Sequence, residues 1–235
     1  MKNQSHTSNG ASVNRKALTI SRSISIIFNV AISAGILFLA AGQTNWPFAW
    51  LYILSYLIFQ LLSMRVSLRH GQIEKHPQKR SFLDRVFEIG YSLTHPITLI
   101  LAGFEFSLTR NPFALGTTIQ SIAYLFLLLI FALMIWTQWE NPYYHSQISN
   151  FQQGQEIVRT GPYQFIRHPG YAGLLMLAIA RPLVLGSRLG LLAGMIGAFI
   201  IIVRTLWEDR ALKKNSADYE EYARDVRHRI FSGIW

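Results

Sequence analysis

Cysteine is absent from all 235 residues of this chain. Disulfide bonds, thiolate catalysis and cysteine-ligated zinc are therefore excluded. Charge is scarce as well, because only 14% of the residues are charged, against about 25% in a typical soluble domain. Hydrophobic residues make up 51% of the chain instead. This composition is typical of a protein that exposes much of its surface to lipid.

Acidic residues are especially few, with 12 Asp and Glu against 22 Lys and Arg and a net charge of +10. A basic excess can indicate nucleic-acid binding. Here, however, the basic residues lie beside the ends of apolar runs: in the N-terminal leader, in segment 65–85 and from residue 204 onward. This placement is typical of cytoplasmic loops in membrane proteins. We therefore expect a lipid bilayer, and no nucleic acid, as the partner.

Several apolar runs approach the roughly 20 residues that a helix needs to cross a bilayer. The four clearest cover residues 24–42, 46–64, 115–139 and 189–207. Two weaker runs, 86–108 and 171–186, contain ionisable residues and proline. The pattern predicts an all-α, multi-pass integral membrane protein with about six transmembrane helices. The even number and the basic segments predict that both termini are cytoplasmic.

A compact polar block, Gly161 to Gly173, separates two of these runs. Polar chemistry so close to a bilayer is costly and usually functional. Gly161-Pro162 indicates a turn, and Arg167-His168-Pro169 offers a cation and an imidazole. Gly170-Tyr171 then begins a helix whose N-terminus serves either close packing or the binding of a carboxylate.

Arg204 and Glu208 are one helical turn apart, so they lie on the same helix face. They form either an ordinary salt bridge or the second half of a site with the block at 161–173. Downstream, Ser216 can cap a helix with Tyr219, Tyr222 and Val226 on one face. That helix lies at the membrane interface or closes over the site. Opposite charges four residues apart predict the pairs Glu220–Arg224 and Asp225–Arg229.

Motifs of other enzyme classes are missing. The chain has no HExxH zinc motif, no phosphate-binding P-loop, no GxGxxG and no GxSxG. Glu88, His95 and Glu105 do not recur at a spacing that would place them together. We therefore expect no metal site.

The spaced residues from the polar block to the C-terminus match a known pattern. They are Gly161-Pro162-Tyr163, Arg167-His168-Pro169, Tyr171, Gly173, Arg204-Thr205, Glu208-Asp209, Leu212, Tyr219, Tyr222 and Gly233-Ile234-Trp235. The pattern resembles the isoprenylcysteine carboxyl methyltransferases and their bacterial relatives, which are allied to the phospholipid methyltransferases. The resemblance covers about residues 139–235. It departs from the family at Asp209 (usually Glu), Ser232 (usually Pro) and Gln155 (His in some members).

The resemblance implies a membrane methyltransferase that uses S-adenosyl-L-methionine, bound at the cytoplasmic face by the C-terminal half. It implies that Arg204 is the catalytic residue and faces the methyl acceptor. The implied cofactor-binding residues are Gln155, Glu156, Ile157, Val158, Tyr163, His168, Pro169, Gly170, Tyr171 and Glu208. The chain then divides into a polar, basic leader (1–23), a transmembrane scaffold (24–138) and a methyltransferase-like catalytic region (139–235).

The expected acceptor is a hydrophobic or lipidated carboxylate, and three alternatives stay open. A phospholipid-amine N-methyltransferase would need a general base, for which His168 and Glu208 are candidates. An NADPH-dependent sterol-type reductase usually has Asn-Tyr in place of the His168–Tyr171 run, so that run favours methyl transfer. The last alternative is a membrane protein without catalytic activity.

Overall fold

The computed structural model describes residues 5–70, 82–111, 115–144 and 156–233, with side chains from residue 19 onward. Every regular element among them is helical. The long helices are α1 (Ser5–Ala41), α2 (Pro47–Arg69), α3 (Phe82–Thr109), α4 (Thr117–Glu140), α5 (Pro169–Val184) and α6 (Arg188–Asn215). A 3₁₀ turn (Gly161–Gln164) and the short α7 (Ala217–Asp225) complete the fold. The predicted all-α class is confirmed.

Each predicted apolar run corresponds to one of the six long helices. Within the described ranges, four segments are long and apolar enough to cross a membrane: Thr19–Ala41, Pro47–Arg69, Thr117–Glu140 and Arg188–Asn215. Helix α5 has 16 residues, or about 24 Å at 1.5 Å per residue, which is shorter than a hydrocarbon core of about 30 Å. Helix α3 has the length but carries Asp84, Glu88 and Glu105. The count of six spans therefore stays a prediction.

The outer surface of the bundle is apolar. Leu39, Phe28 and Phe199 are each more than 60% exposed, and many other large apolar side chains lie outward on α1 to α4 and α6. A water-soluble monomer rarely exposes apolar patches of more than a few hundred Å². Exposed apolar helices and a low content of charge together identify an integral membrane protein.

The helices pack through small residues. Helix α4 packs against α5, α3 against α1 and α6, and α5 against α6. A β-carbon on Gly194 of α6 would collide with the Ala178 carbonyl of α5, so glycine permits this close approach. Gly103 of α3 allows a similar approach to the backbone of α1 at Leu37. The close contacts fix the relative positions of α5 and α6, which carry most of the predicted site.

The three ionisable residues singled out in the third span lie in separate places. Glu105 Oε2 accepts hydrogen bonds from Ser187 Oγ (2.8 Å) and the backbone N–H of Leu189 (2.9 Å), which joins α3 to the start of α6. His95 Nε2 lies 3.1 Å from Ser33 Oγ of α1. Glu88 alone lines the cavity described next.

Candidate functional site

A cavity of about 370 Å³ lies at the end of the bundle where α3 and α5 begin and α4 and α6 end. Every predicted site residue that the structure describes lines it. These residues are Glu156, Ile157, Val158, Tyr163, His168, Pro169, Gly170, Tyr171, Arg204 and Glu208. Gln155 lies outside the described residues. The cavity therefore joins the two halves that the sequence separates by some thirty positions.

The 3₁₀ turn fixes one wall of the cavity. Gly161 has a φ of +58°, and a β-carbon there would collide with the Glu140 side chain at the end of α4. Glu140 Oε2 also accepts a hydrogen bond from Thr160 Oγ1 at 2.7 Å. Two residues on, the Tyr163 hydroxyl accepts a hydrogen bond from Asn141 Nδ2 at 2.8 Å. The turn is thus attached to α4 on both sides, and glycine is required at its start.

Asp209 of α6 is the electrostatic centre behind the cavity wall. Its side chain is 1% exposed and accepts two bonds from Arg167, from Nε at 2.8 Å and from Nη2 at 3.0 Å. Arg229 Nε donates to Oδ2 at 2.9 Å, and the Tyr219 hydroxyl donates to Oδ1 at 3.0 Å. Paired, hydrogen-bonded charges of this kind are the form in which a buried carboxylate is tolerated. Asp209 therefore ties together α6, α7, the polar block and the C-terminal segment.

His168 belongs to the same network. Its Nε2 atom lies 3.2 Å from Asp209 Oδ1 and 3.1 Å from the Tyr219 hydroxyl. Its backbone N–H donates to the Arg229 carbonyl at 2.9 Å. Because Nε2 already contacts two polar atoms, that nitrogen is engaged in holding the site together.

Arg204 lies at the junction of α3, α5 and α6 and is 8% exposed. Its Nη1 atom forms a salt bridge with Asp84 of α3, and its Nη2 atom lies 3.0 Å from Glu208 Oε2. Its Nε atom donates to the Tyr171 hydroxyl at 3.2 Å, and that hydroxyl donates to Glu208 Oε2 at 2.6 Å. The Arg204–Glu208 salt bridge is therefore present, and it also lines the cavity.

Helix α7 covers the cavity rather than lying apart from it. Tyr219 and Tyr222 both line the cavity, and the Tyr222 hydroxyl donates to the Tyr163 carbonyl at 2.5 Å. Ser216 Oγ accepts from the backbone N–H of Tyr219 at 3.2 Å, as predicted for the cap. The position of α7 therefore matches the second of the two expectations, a helix that closes over the site.

Of the two charge pairs predicted for the C-terminal helix, one is present. Arg224 Nη2 lies 3.0 Å from Glu220 Oε1. The Asp225–Arg229 pair is wrong, because α7 ends at Asp225 and the chain then runs extended beside the polar block. Asp225 pairs instead with Arg159, at 3.4 Å.

Ionisable groups of the cavity wall are mainly acidic once existing pairs are counted. Asp84, Glu88, Glu156 and Glu208 all line it. Arg204 is shared by two of these acids, Asp84 and Glu208, and Arg167 is bound to Asp209 outside the lining, so the wall keeps a surplus of negative charge. The arrangement therefore suits a ligand that carries positive charge.

Tyrosines form much of the remaining wall. Burial raises the pKa of the Tyr144 hydroxyl to about 12, and it raises the pKa of Tyr163, Tyr219 and Tyr222 as well. These hydroxyls are protonated near neutral pH, so they serve as hydrogen-bond donors and not as bases. Their ring faces can also contact a cation.

Sequence reasoning missed two acidic residues of the site. Asp84 lies 120 positions before its partner Arg204 and precedes the predicted third span. The sequence pattern marks Asp209 only as a departure from the methyltransferases that the chain resembles. The sequence feature that indicates a role for Asp209 is its neighbour Glu208. Successive residues lie about 100° apart on a helix, so two adjacent acidic side chains point in different directions and have different partners. No local signal connects Asp84 to α6.

Residues 119–218 match the family model for phospholipid methyltransferase. No curated protein matches the chain. The matched segment extends from α4 to the start of α7 and covers less than half of the chain, including nearly all of the described cavity residues outside α3. The match supports a membrane methyltransferase, whereas the narrower isoprenylcysteine resemblance stays a prediction.

Proposed function

We propose that the protein transfers a methyl group from S-adenosyl-L-methionine to an acceptor that reaches the cavity from the bilayer. One observation carries the proposal. The predicted cofactor and acceptor residues that the structure describes line a single cavity, and all of them lie in the segment that matches the methyltransferase family.

The residues present fit such a cofactor. Its sulfonium and ammonium groups are cationic, which suits the carboxylates of Glu156 and Glu208 and the ring faces of the tyrosines. Ile157 and Val158 offer apolar contact for a nucleoside. The volume, about 370 Å³, lies within the usual range of ligand pockets, about 300–1,000 Å³. When bound, the cofactor would supply an electrophilic methyl group.

The protein's own contribution is orientation and exclusion of water. Asp84 and Glu208 hold the Arg204 guanidinium from two sides, so its remaining N–H groups have a fixed direction. Tyr219 and Tyr222 close the cavity on the side of α7. A closed, pre-arranged site lowers the entropic cost of aligning the two reactants.

An amine is the acceptor that the geometry favours. Arg204 is shared by two carboxylates, so an acceptor carboxylate would compete with both for the guanidinium. An ammonium acceptor, by contrast, is attracted to the acidic wall and must lose a proton before it attacks. Glu208 lies in the wall with its Oε2 atom bound to Arg204 and Tyr171, so its Oε1 atom would receive that proton.

A carboxylate acceptor is the second candidate. A guanidinium has five N–H groups. Three contacts, to Asp84, Glu208 and Tyr171, leave two N–H groups of Arg204 without a partner among the described residues. Those two could hold an acceptor carboxylate side-on, in the role that the sequence resemblance implies.

Labelled methyl transfer separates the candidates. The purified protein is incubated with methyl-labelled cofactor and a membrane lipid extract, and the label in the organic phase is then treated with base. Base releases the label from methyl esters as methanol and leaves N-methyl groups intact. Base-stable label supports an amine, and base-labile label supports a carboxylate. Equal organic-phase label with and without the protein would contradict methyl transfer itself.

A matched pair of variants makes the assay specific to the cavity. Glu208→Gln should abolish most of the incorporation. Arg210→Gln changes an exposed residue on the same helix and should leave incorporation unchanged.

We also propose that both termini and the cavity face the cytoplasm. The basic residues of the leader and of α6 and α7 support this orientation, because Lys and Arg near span ends favour the cytoplasmic side. The lipid bilayer would deliver the acceptor, and the cytoplasm would deliver the cofactor.

A further inference from the structure

Arg181 of α5 is a buried cation outside the cavity. It is 5% exposed, and it is not among the residues that line the cavity. It lies thirteen positions into α5, and its Nε atom has no hydrogen-bond partner among the described residues. Arginine stays protonated even when buried, so the charge cannot be removed by titration.

The surroundings of Arg181 are polar but supply no countercharge. Helix α5 packs against α2 and α3, and Arg181 interacts electrostatically with Tyr52 and Tyr56 of α2 and with Tyr91 and His95 of α3. Within the described part of the chain, Arg181 forms no salt bridge with a carboxylate. A buried charge without a partner costs several kcal/mol and is retained mainly where it has a function.

Tyr52 provides a second buried donor beside Arg181. Its side chain is 0% exposed, and the hydrogen-bonding group beside its hydroxyl is the Arg181 guanidinium, which cannot accept the hydroxyl proton. The neighbouring hydroxyls are engaged: Tyr56 donates to Asn29 Oδ1 at 2.9 Å, and Tyr91 donates to the Leu174 carbonyl at 3.0 Å. A guanidinium fork and a hydroxyl whose proton has no acceptor among the described residues together match the several acceptor oxygens of an oxyanion.

We propose that Arg181 and Tyr52 form a second, buried site that binds an oxyanion, namely a carboxylate or phosphate group. The group comes either from an amphiphile that enters the bundle or from a free ion. The ligand supplies the countercharge that the described residues lack. This proposal does not rest on methyl transfer, because the site lies outside the cavity.

The melting temperature of the ligand-free protein tests whether the Arg181 charge lacks a carboxylate partner. Arg181→Met removes the charge, keeps an apolar chain of similar length and should raise the melting temperature, since no partner is lost. Arg188→Met is the control, because Arg188 is exposed at the start of α6 and its replacement should change little. A clear fall for Arg181→Met alone would show that Arg181 has a structural partner and would overturn the proposal.

Binding tests the ligand directly. The intact protein in an uncharged detergent is titrated, without cofactor, with dodecanoate, with uncharged dodecanol, with acetate and with inorganic phosphate. We expect dodecanoate, and not dodecanol, to raise the melting temperature of wild type and Arg188→Met. Arg181→Met should weaken that binding about tenfold or more, as for a lost charge-assisted hydrogen bond.

The four probes distinguish the two sources of the oxyanion. A response to dodecanoate alone indicates an amphiphile, and an equal response to acetate or phosphate indicates a free ion. Tyr52→Phe keeps the charge and the fold and should also weaken the response. The proposal is overturned if no oxyanion stabilises wild type, or if Arg181→Met keeps the full response. Should Arg181→Met fail to fold, an unchanged response in Tyr52→Phe overturns it equally.

Discussion

Replacing Asp209 by Asn should unfold the C-terminal half of the site. Asn keeps the shape of the side chain but removes the charge that both Arg167 and Arg229 contact, at 2.8 to 3.0 Å. Breaking a buried ion pair by removing one partner typically costs about 3–5 kcal/mol, because the other charge stays buried and unpaired. Arg167 has a side chain that is 1% exposed, so it cannot turn to solvent without displacing its neighbours. We therefore expect a loss near the upper end of that range.

The loss can be measured by thermal unfolding, followed through the fluorescence of the chain's six tryptophans. Asp218→Asn is the matched control, since it makes the same chemical change at an exposed position of α7. Asp209→Glu keeps the charge, so it should lose less stability than Asp209→Asn. If Asp209→Asn melts within a degree of wild type, the Asp209 charge is not what stabilises Arg167 and Arg229 in the fold.

Three further predictions concern the cavity, the packing and the orientation. Glu208→Gln should weaken cofactor binding by about 1.5–3 kcal/mol. Arg204→Lys should leave cofactor affinity nearly intact and lower turnover, because an ammonium does not reproduce the planar guanidinium fork. Equal effects of the two variants on cofactor affinity, measured by calorimetry, would favour a purely structural salt bridge. Gly194→Ala should lower the melting temperature, because its β-carbon meets the Ala178 carbonyl, whereas Gly35→Ala, where nothing lies within 4 Å, should not. Tags at the two termini should be accessible to a membrane-impermeant label only from the cytoplasmic side, and a terminus labelled from the opposite side would refute the proposed topology.

The helices were predictable because apolar run length is a local property of the sequence. The run at 115–139 predicted α4 (Thr117–Glu140), and the weak run at 171–186 predicted α5 (Pro169–Val184), within a few residues. Local patterns also predicted the Ser216 cap. They failed for Asp225–Arg229, because the i, i+4 rule assumes a helix that here ends too early.

The sequence predicts residues that line the cavity, but it does not predict the contacts between them. The motifs indicated His168, Arg204 and Glu208 because their types and spacing are unusual beside a bilayer. The Arg204–Asp84 salt bridge depends on how α3 packs against α6, and no sequence pattern within either helix specifies that packing. Arg181 likewise looked like one polar residue in a weak span until the fold placed it beside Tyr52.

The proposed function requires that the cavity binds a methyl donor. Calorimetry of the purified protein with S-adenosyl-L-methionine, its demethylated product and NADPH tests this requirement. We expect S-adenosyl-L-methionine and its demethylated product to bind. Their affinity should be weakened in Glu208→Gln and unchanged in Arg210→Gln, and NADPH should not bind. Binding of NADPH alone would indicate a reductase. Binding of none of the three would indicate that the cavity is not a cofactor site. Either result would contradict the proposed function.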